Sequence, residues 1–317
     1  MSRFKVLVTA PYFLPVLDEW RSVLAAHDIE PIPLNVVERA EEADLLPVIG
    51  DVHGVICGDD RFTSKVLEKA PLLKVLCKWG TGIDSLDKEA CGRLGIEIRN
   101  TPDAFSIPVA DTVIGYALSF CRNLPFMDAE IKAGIWKKIP GRSLSETTLG
   151  IIGVGNVGRR VAERAAAFGC RLLGTDLKEI DKQWCDATGL TQVPLETLLR
   201  QSDFVSVNCD LNPTSYHLIT DRTLAEIKPT AVLINTARGP IVEEPALIRA
   251  LENRVIAGAA LDVFENEPLP DESPLRQFSN VLLAPHNSNS SPRAWQFVHE
   301  NTVNNLIDAL ETPRASK

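Results

Sequence analysis

The sequence lacks the marks of several protein classes. No apolar run approaches the roughly 18 residues of a membrane span. The opening Met1-Ser2-Arg3-Phe4-Lys5 leads straight into a short apolar segment without a signal-peptide pattern. A soluble protein is expected. The seven cysteines (Cys57, Cys77, Cys91, Cys121, Cys170, Cys185 and Cys209) are odd in number, scattered, and contain no C-x-x-C pair. Most sit in apolar runs, where a cysteine acts as a small buried hydrophobe, so a reduced, cytoplasmic protein is expected. Basic residues are outnumbered 33 to 42, giving a net charge of −9. That balance argues against a nucleic-acid or anionic-membrane partner, since both reward clustered Lys and Arg. Repeats of solenoid period and low-complexity tracts are also missing.

What is present is a globular composition, with 45% hydrophobic and 24% charged residues, in a chain of 317 residues. That length exceeds one ordinary domain, and two are expected. Short apolar runs alternate with helical patterns. In the first hundred residues, 6–8, 54–57, 74–77 and 96–98 read as strands, and 38–46 and 64–70 as helices. A helical zone from 108 to about 138 follows. The rhythm then restarts, with strands at 149–153, 171–175, 204–207, 231–235, 257–262 and 281–284, and a closing helix at about 293–310. Such βα alternation predicts an α/β fold of two doubly wound domains, each a parallel sheet between helices.

The sharpest motif is Gly153-Val154-Gly155-Asn156-Val157-Gly158. A lone G-x-G-x-x-G is weak, but this one follows an apolar strand and opens an alanine-rich helix, the context a dinucleotide site requires. The first glycine permits the tight turn, the second lets backbone approach the pyrophosphate, and the third lets the helix pack on the strand. The helix N-terminus offers unpaired N–H groups to the phosphates. The next strand ends in Asp176, whose carboxylate can accept from both ribose hydroxyls and would repel a 2′-phosphate, so NAD is the expected cofactor. Asn208, Thr236 and Ala237, just past later strands, join the cofactor-binding candidates.

Three later strand ends carry chemistry: Arg238 in Asn235-Thr236-Ala237-Arg238-Gly239, Glu267 in the segment after Asp262, and His286 in Pro285-His286. In an open α/β sheet the carboxyl ends of the strands face the ligand. A guanidinium suits a carboxylate and an adjacent carbonyl oxygen. Histidine is the default proton donor for a developing alkoxide, and a neighbouring carboxylate would orient it. The three together outweigh the reading of any one as an ordinary structural residue.

With these residues in view, the chain resembles the D-isomer-specific 2-hydroxyacid dehydrogenases, especially the phosphoglycerate dehydrogenase branch. The resemblance runs through Gly80-Thr81-Gly82-Ile83-Asp84, Asn100-Thr101-Pro102, the glycine motif, the Arg238 segment, Ala260-Leu261-Asp262-Val263-Phe264 and Pro285-His286. It implies an oxidoreductase moving a hydride between NAD(H) and a small 2-hydroxy or 2-oxo acid. Arg238, Glu267 and His286 would be catalytic, with Asp262 at the nicotinamide carboxamide. Gly80, Thr81 and Gly82 would take the substrate carboxylate, with Lys78 beside them. It further implies a discontinuous, flavodoxin-like substrate domain (1–100 and 287–317), a Rossmann NAD-binding domain (101–286), and a homodimer built through the helical zone. No metal is expected.

The chain also departs from that pattern. Cys57 stands where phosphoglycerate enzymes carry a phosphate-binding arginine, and Lys78 replaces an arginine before the Gly-Thr-Gly loop. Asn287-Ser288-Asn289-Ser290-Ser291 gives a polar lining in place of an apolar run. The substrate expected is a smaller or more hydroxylated 2-oxo acid. The alternatives are a true phosphoglycerate dehydrogenase, or a dinucleotide-sensing protein like the related corepressors.

Overall fold

The computed structural model describes residues 3–312; the expected domain ends at 1–2 and 313–317 lie outside the described residues. Contacts divide the chain into two compact units, one running to Phe105 and resuming at Ser291, the other comprising Ser106–Ser290. Both changeovers lie slightly beyond the expected ones at 100 and 286.

The first unit runs β1 (Phe4–Val8), α1 (Leu17–Ala26), β2 (Ile29–Pro33), α2 (Glu42–Leu45), β3 (Gly54–Cys57), α3 (Ser64–Leu67), β4 (Val75–Lys78), α4 (Lys88–Leu94) and β5 (Glu97–Arg99). Its strands are parallel, in the order β2-β1-β3-β4-β5. This is the flavodoxin-like order, which reverses direction at β1/β3. Alternation along the strands feeds two cores: Val6, Val8, Ile56, Val75 and Cys77 on one face, and Leu7, Val55, Cys57 and Leu76 on the other.

The second unit opens with α5 (Ser106–Arg122) and α6 (Leu124–Lys132). It continues β6 (Thr148–Ile152), α7 (Asn156–Ala167), β7 (Arg171–Thr175), α8 (Lys182–Thr188), β8 (Leu190–Gln192), α9 (Leu195–Gln201), β9 (Phe204–Val207), α10 (Asp221–Leu224), β10 (Val232–Asn235), α11 (Glu244–Glu252), β11 (Gly258–Leu261) and β12 (Val281–Leu283). These strands form one parallel sheet, β12-β11-β10-β9-β6-β7-β8, with its switch point between β6 and β9. α5 and α7 cover one face through Val113, Ala117, Val161 and Ala165. The other face is covered by Leu198, Leu224, Leu247 and Leu251 of α9–α11. The last helix, α12 (Pro292–Glu311), returns to the first unit, where Val298, Val303 and Leu306 join the Val6 core. Among the described residues, no helix is long and apolar enough to cross a membrane.

Differences from the sequence reading have local causes. β2 was masked by Pro31 and Pro33, which ordinarily argue against a strand. It is an edge strand, and Leu34 N, in register with the donors that face β1, bonds Val8 O at 2.9 Å; the prolines fall at alternate positions, where no donor is needed. The helix expected over 38–46 shrinks to α2, because Ala40 N is drawn to Asp60 Oδ1 at 2.6 Å and Glu41 is extended as the N-cap. β8 is a three-residue edge strand, too short for a periodic signal.

His299 of α12 is buried and its Nδ1 accepts from Trp79 Nε1 at 2.9 Å. Burial pushes its pKa down, with the charge of Glu19 opposing. Below the unfolded value of about 6.5 the unfolded chain therefore binds more protons than the folded one, and stability falls as pH drops through that window. Protonation would also set two donors, Nδ1–H and Nε1–H, against each other. His299→Phe should unfold with less dependence on pH between 8 and 5 than the parent. At pH 8 it should be about 1–3 kcal/mol less stable, because the buried Trp79 N–H loses its acceptor. Denaturant melts at both pH values measure this; an unchanged pH slope would remove His299 from the account.

Candidate active site

The carboxyl end of β6 runs into the glycine loop. A Cβ on Gly158 would come within 2.1 Å of Gly153 O, so only glycine lets α7 start this close to the strand. Gly155 is the N-cap of α7, no side chain caps this helix, and Gly155 and Asn156 are exposed while Val157 is half-buried. The first turn of a 12-residue helix thus presents its N–H groups outward, as an anion requires. Asp176, just past β7, is fixed on this loop: Oδ2 accepts from Val154 N at 2.8 Å and Oδ1 from Lys178 N at 3.1 Å.

Past β9, Asn208 donates through Nδ2 to Ser206 O at 3.1 Å, and its own N–H bonds Ile152 O at 2.8 Å. Past β10, the hydroxyl of Thr236 is buried without a hydrogen-bond partner among the described residues, an orphan that a bound polar group would satisfy. These features fit a dinucleotide.

Arg238 follows on a turn that needs a scaffold. Asn235 supplies it: its Oδ1 accepts from Ala237 N at 3.1 Å and its Nδ2 donates to Arg238 O at 2.9 Å. Arg238 Nη1 donates to Ala237 O at 2.8 Å. The segment after β11 carries Glu267, whose Oε1 accepts from Phe264 N at 2.9 Å while Oε2 lies 3.0 Å from His286 Nδ1. Both side chains are about one-fifth exposed. His286, past β12, holds φ = 50°, a left-handed conformation that needs support.

Asp262 gives that support. It is fully buried, and its carbonyl accepts from His286 N at 2.7 Å. Its carboxylate accepts from Asn287 N at 2.8 Å, Ser288 N at 2.9 Å and the Ser288 hydroxyl. Three donors already share the two oxygens expected at the carboxamide. Ser288 as the partner of Asp262 was missed; the signal was a small hydroxyl two residues past the histidine. The polar lining expected over 287–291 is correspondingly reduced. Ser288 faces inward to Asp262, and Ser291 caps α12 by accepting from Ala294 N.

In the first unit, Gly80 (φ = 120°), Thr81 and Gly82 follow β4. Thr101 N bonds Gly80 O at 2.9 Å and Thr81 Oγ1 donates to Thr101 O at 2.9 Å. Asn301 and Asn305 of α12 hold Thr101 and Asn100 from behind. Lys78 is buried and its ammonium is matched by Asp59 Oδ1 at 2.7 Å. Cys57 is buried, its thiol donates to Cys77 O, and burial pushes its pKa well up, so it is a neutral thiol.

The NAD binding domain of the D-isomer specific 2-hydroxyacid dehydrogenases matches residues 114–288, and the chain belongs to that family. It is an NAD-dependent oxidoreductase of the kind that acts on a CH–OH group. Among its relatives is a glyoxylate reductase of Thermofilum pendens, 37% identical over 84% of this chain and 81% of that one. A D-3-phosphoglycerate dehydrogenase of Methanocaldococcus jannaschii is 36% identical over 92% of this chain but 54% of its own, so this chain spans about half of that relative. In three dimensions it is similar to a glyoxylate reductase from Paecilomyes thermophila, with a TM-score of 0.85, 29% identity and coverage of 98% and 96%.

With Asp176 fixed on the glycine loop, the enzyme is expected to prefer NADH over NADPH by about tenfold or more in kcat/KM, or ~1.4 kcal/mol. Asp176→Ala should narrow that ratio, chiefly by weakening NADH. Equal values in the parent enzyme would mean that Lys178 or another cation overrides the carboxylate.

Proposed function

We propose that the protein reduces a small, unphosphorylated 2-oxo acid to the D-2-hydroxy acid, with His286 as acid/base, Glu267 as its partner and Arg238 as substrate anchor. The observation that carries this reading is the His286 Nδ1–Glu267 Oε2 contact of 3.0 Å, with Glu267 itself tied to Phe264 N. A carboxylate at Nδ1 fixes the ring orientation and directs Nε2 as the nitrogen that hands over a proton. When bound, the nicotinamide supplies or accepts the hydride. His286 delivers the proton to the carbonyl oxygen during reduction and takes it back from the hydroxyl during oxidation. The planar fork of Arg238 pairs the substrate carboxylate and polarises the carbonyl.

The cofactor is assigned to Gly153, Gly155, Asn156, Val157, Gly158, Asp176, Asn208, Thr236 and Ala237. Asp262 supports the His286 loop, and any carboxamide contact it makes shares the oxygens that hold Ser288. By the family resemblance, Gly80, Thr81 and Gly82 receive the carboxylate, which makes the first unit the substrate domain and the second the NAD domain.

Two features favour an unphosphorylated substrate. A phosphate needs cations to offset its desolvation, yet Cys57 is neutral and Lys78 already matches Asp59. In kinetics with glyoxylate, hydroxypyruvate and phosphohydroxypyruvate, one of the first two should give the highest kcat/KM. A win by phosphohydroxypyruvate of about tenfold, ~1.4 kcal/mol, would overturn this and place a cation such as Arg61 on the phosphate. His286→Ala should lower kcat by about 10²–10⁴ with NADH binding retained; near-normal turnover would remove His286 from the mechanism.

A cytoplasmic homodimer is the assembly we favour. The free cysteines suit a reducing compartment. Ile107, Leu124, Ile131, Ile135 and Trp136, the last 92% exposed, give the α5–α6 region apolar side chains in need of a cover. Trp136→Asp combined with Ile131→Asp should convert a dimer into a monomer, measured by light scattering; a monomeric parent enzyme would refute the assembly.

A further inference from the structure

Two turns of the second unit carry the proposed chemistry, the Arg238 turn after β10 and the 262–268 segment after β11. They touch backbone to backbone: a Cβ on Gly239 would lie 1.9 Å from Phe264 C and O and 2.5 Å from Glu265 N. Asp262 N bonds Asn235 O at 2.9 Å where the two strands end. Beyond that bond the contact excludes side chains from between the turns, and a neighbour that bonds both adds to their register.

His217 bonds both. Its N–H donates to Pro240 O at 2.9 Å, and its Nε2 lies 2.9 Å from Glu265 Oε1. The residue sits at φ = 48°, with Tyr216 stacked on its ring at 4.0 Å and 16°. Glu265 is tied in turn to the start of α11: Oε1 accepts from Glu244 N at 3.2 Å, and Glu265 N donates to Glu244 Oε2 at 3.2 Å. Burial pushes the Glu244 carboxyl up; the Glu265 N–H bond opposes this and the Glu265 charge adds to it. Two neighbouring, partly buried carboxylates are costly without a donor between segments, and His217 Nε2 provides one. Glu265 lies one residue past Phe264, whose N–H fixes Glu267.

We infer that His217, acting through Glu265, is a positioning residue that holds Arg238 in register with the Glu267–His286 pair. This rests on the roles given above to Arg238, Glu267 and His286.

His217→Phe retains a ring for Tyr216 to stack on but removes the donor. It should raise the 2-oxo acid KM and lower kcat together, with kcat/KM down about tenfold, within the range of coupling for residues sharing one hydrogen-bond network. NADH affinity should stay within about twofold, because the glycine loop is untouched. Glu265→Leu should match it, the double variant should be no worse than either, and Glu265→Gln, which still accepts from His217, should be near the parent. A merely structural lesion would instead lower kcat in proportion to the folded fraction and leave KM alone. That result, or parental kinetics in His217→Phe, overturns the inference. Should His217→Phe not fold, the contrast between Glu265→Leu and Glu265→Gln decides alone. Full activity in Arg238→Lys and His286→Ala would instead overturn the underlying function, whatever His217 does.

Discussion

Asp262 brings a carboxylate into the interior at the end of β11, and its burial is tolerable because each charge lobe meets a donor from the chain just past β12. An unpaired charge there would be destabilising by several kcal/mol, on the order of the penalty for any uncompensated buried ion. The same bonds that satisfy Asp262 force the chain after Pro285 to fold back over β11, and that return places His286 in a left-handed conformation with its ring toward Glu267. The electrostatic requirement of one buried group and the placement of the proposed acid/base are therefore the same constraint.

The rest of this carboxyl end of the sheet follows a similar economy. Asn235 closes the Arg238 turn with its own amide, and Glu267 divides its oxygens between Phe264 N and His286. Side chains that lie on neighbouring parallel strand ends need only short turns to converge. The apolar packing below them, through Leu233, Leu261 and Phe264, is continuous with the helices α9–α11. The turns thus rest on packed strands.

In the first unit, charge is handled by internal pairing. Asp60 is buried at the end of β3, where Thr9 Oγ1, Ala40 N and Gly58 N donate to it, and burial pushes its pKa up against those bonds. Lys78 meets Asp59 one strand away. These groups occupy the switch-point end of a flavodoxin-like sheet, where ligands ordinarily bind. Their mutual pairing underlies the proposal that the substrate is unphosphorylated.

The sequence by itself determined the two α/β units, most strands, the glycine loop and the identities of Arg238, Glu267 and His286. Those signals are local: apolar period, glycine spacing, and polar residues just past strand ends. It could not show β2, whose prolines are harmless only at a sheet edge, nor the short α2, whose expected first turn is diverted to Asp60. Nor could it show that Ser288 turns inward, that Lys78 is already neutralised, or that His217 bridges two turns. Each of these depends on a partner distant in sequence, and a partner's position is set by how strands are ordered in a sheet. Composition and spacing fix which groups a chain can offer; only the tertiary structure decides which of them are already committed to one another.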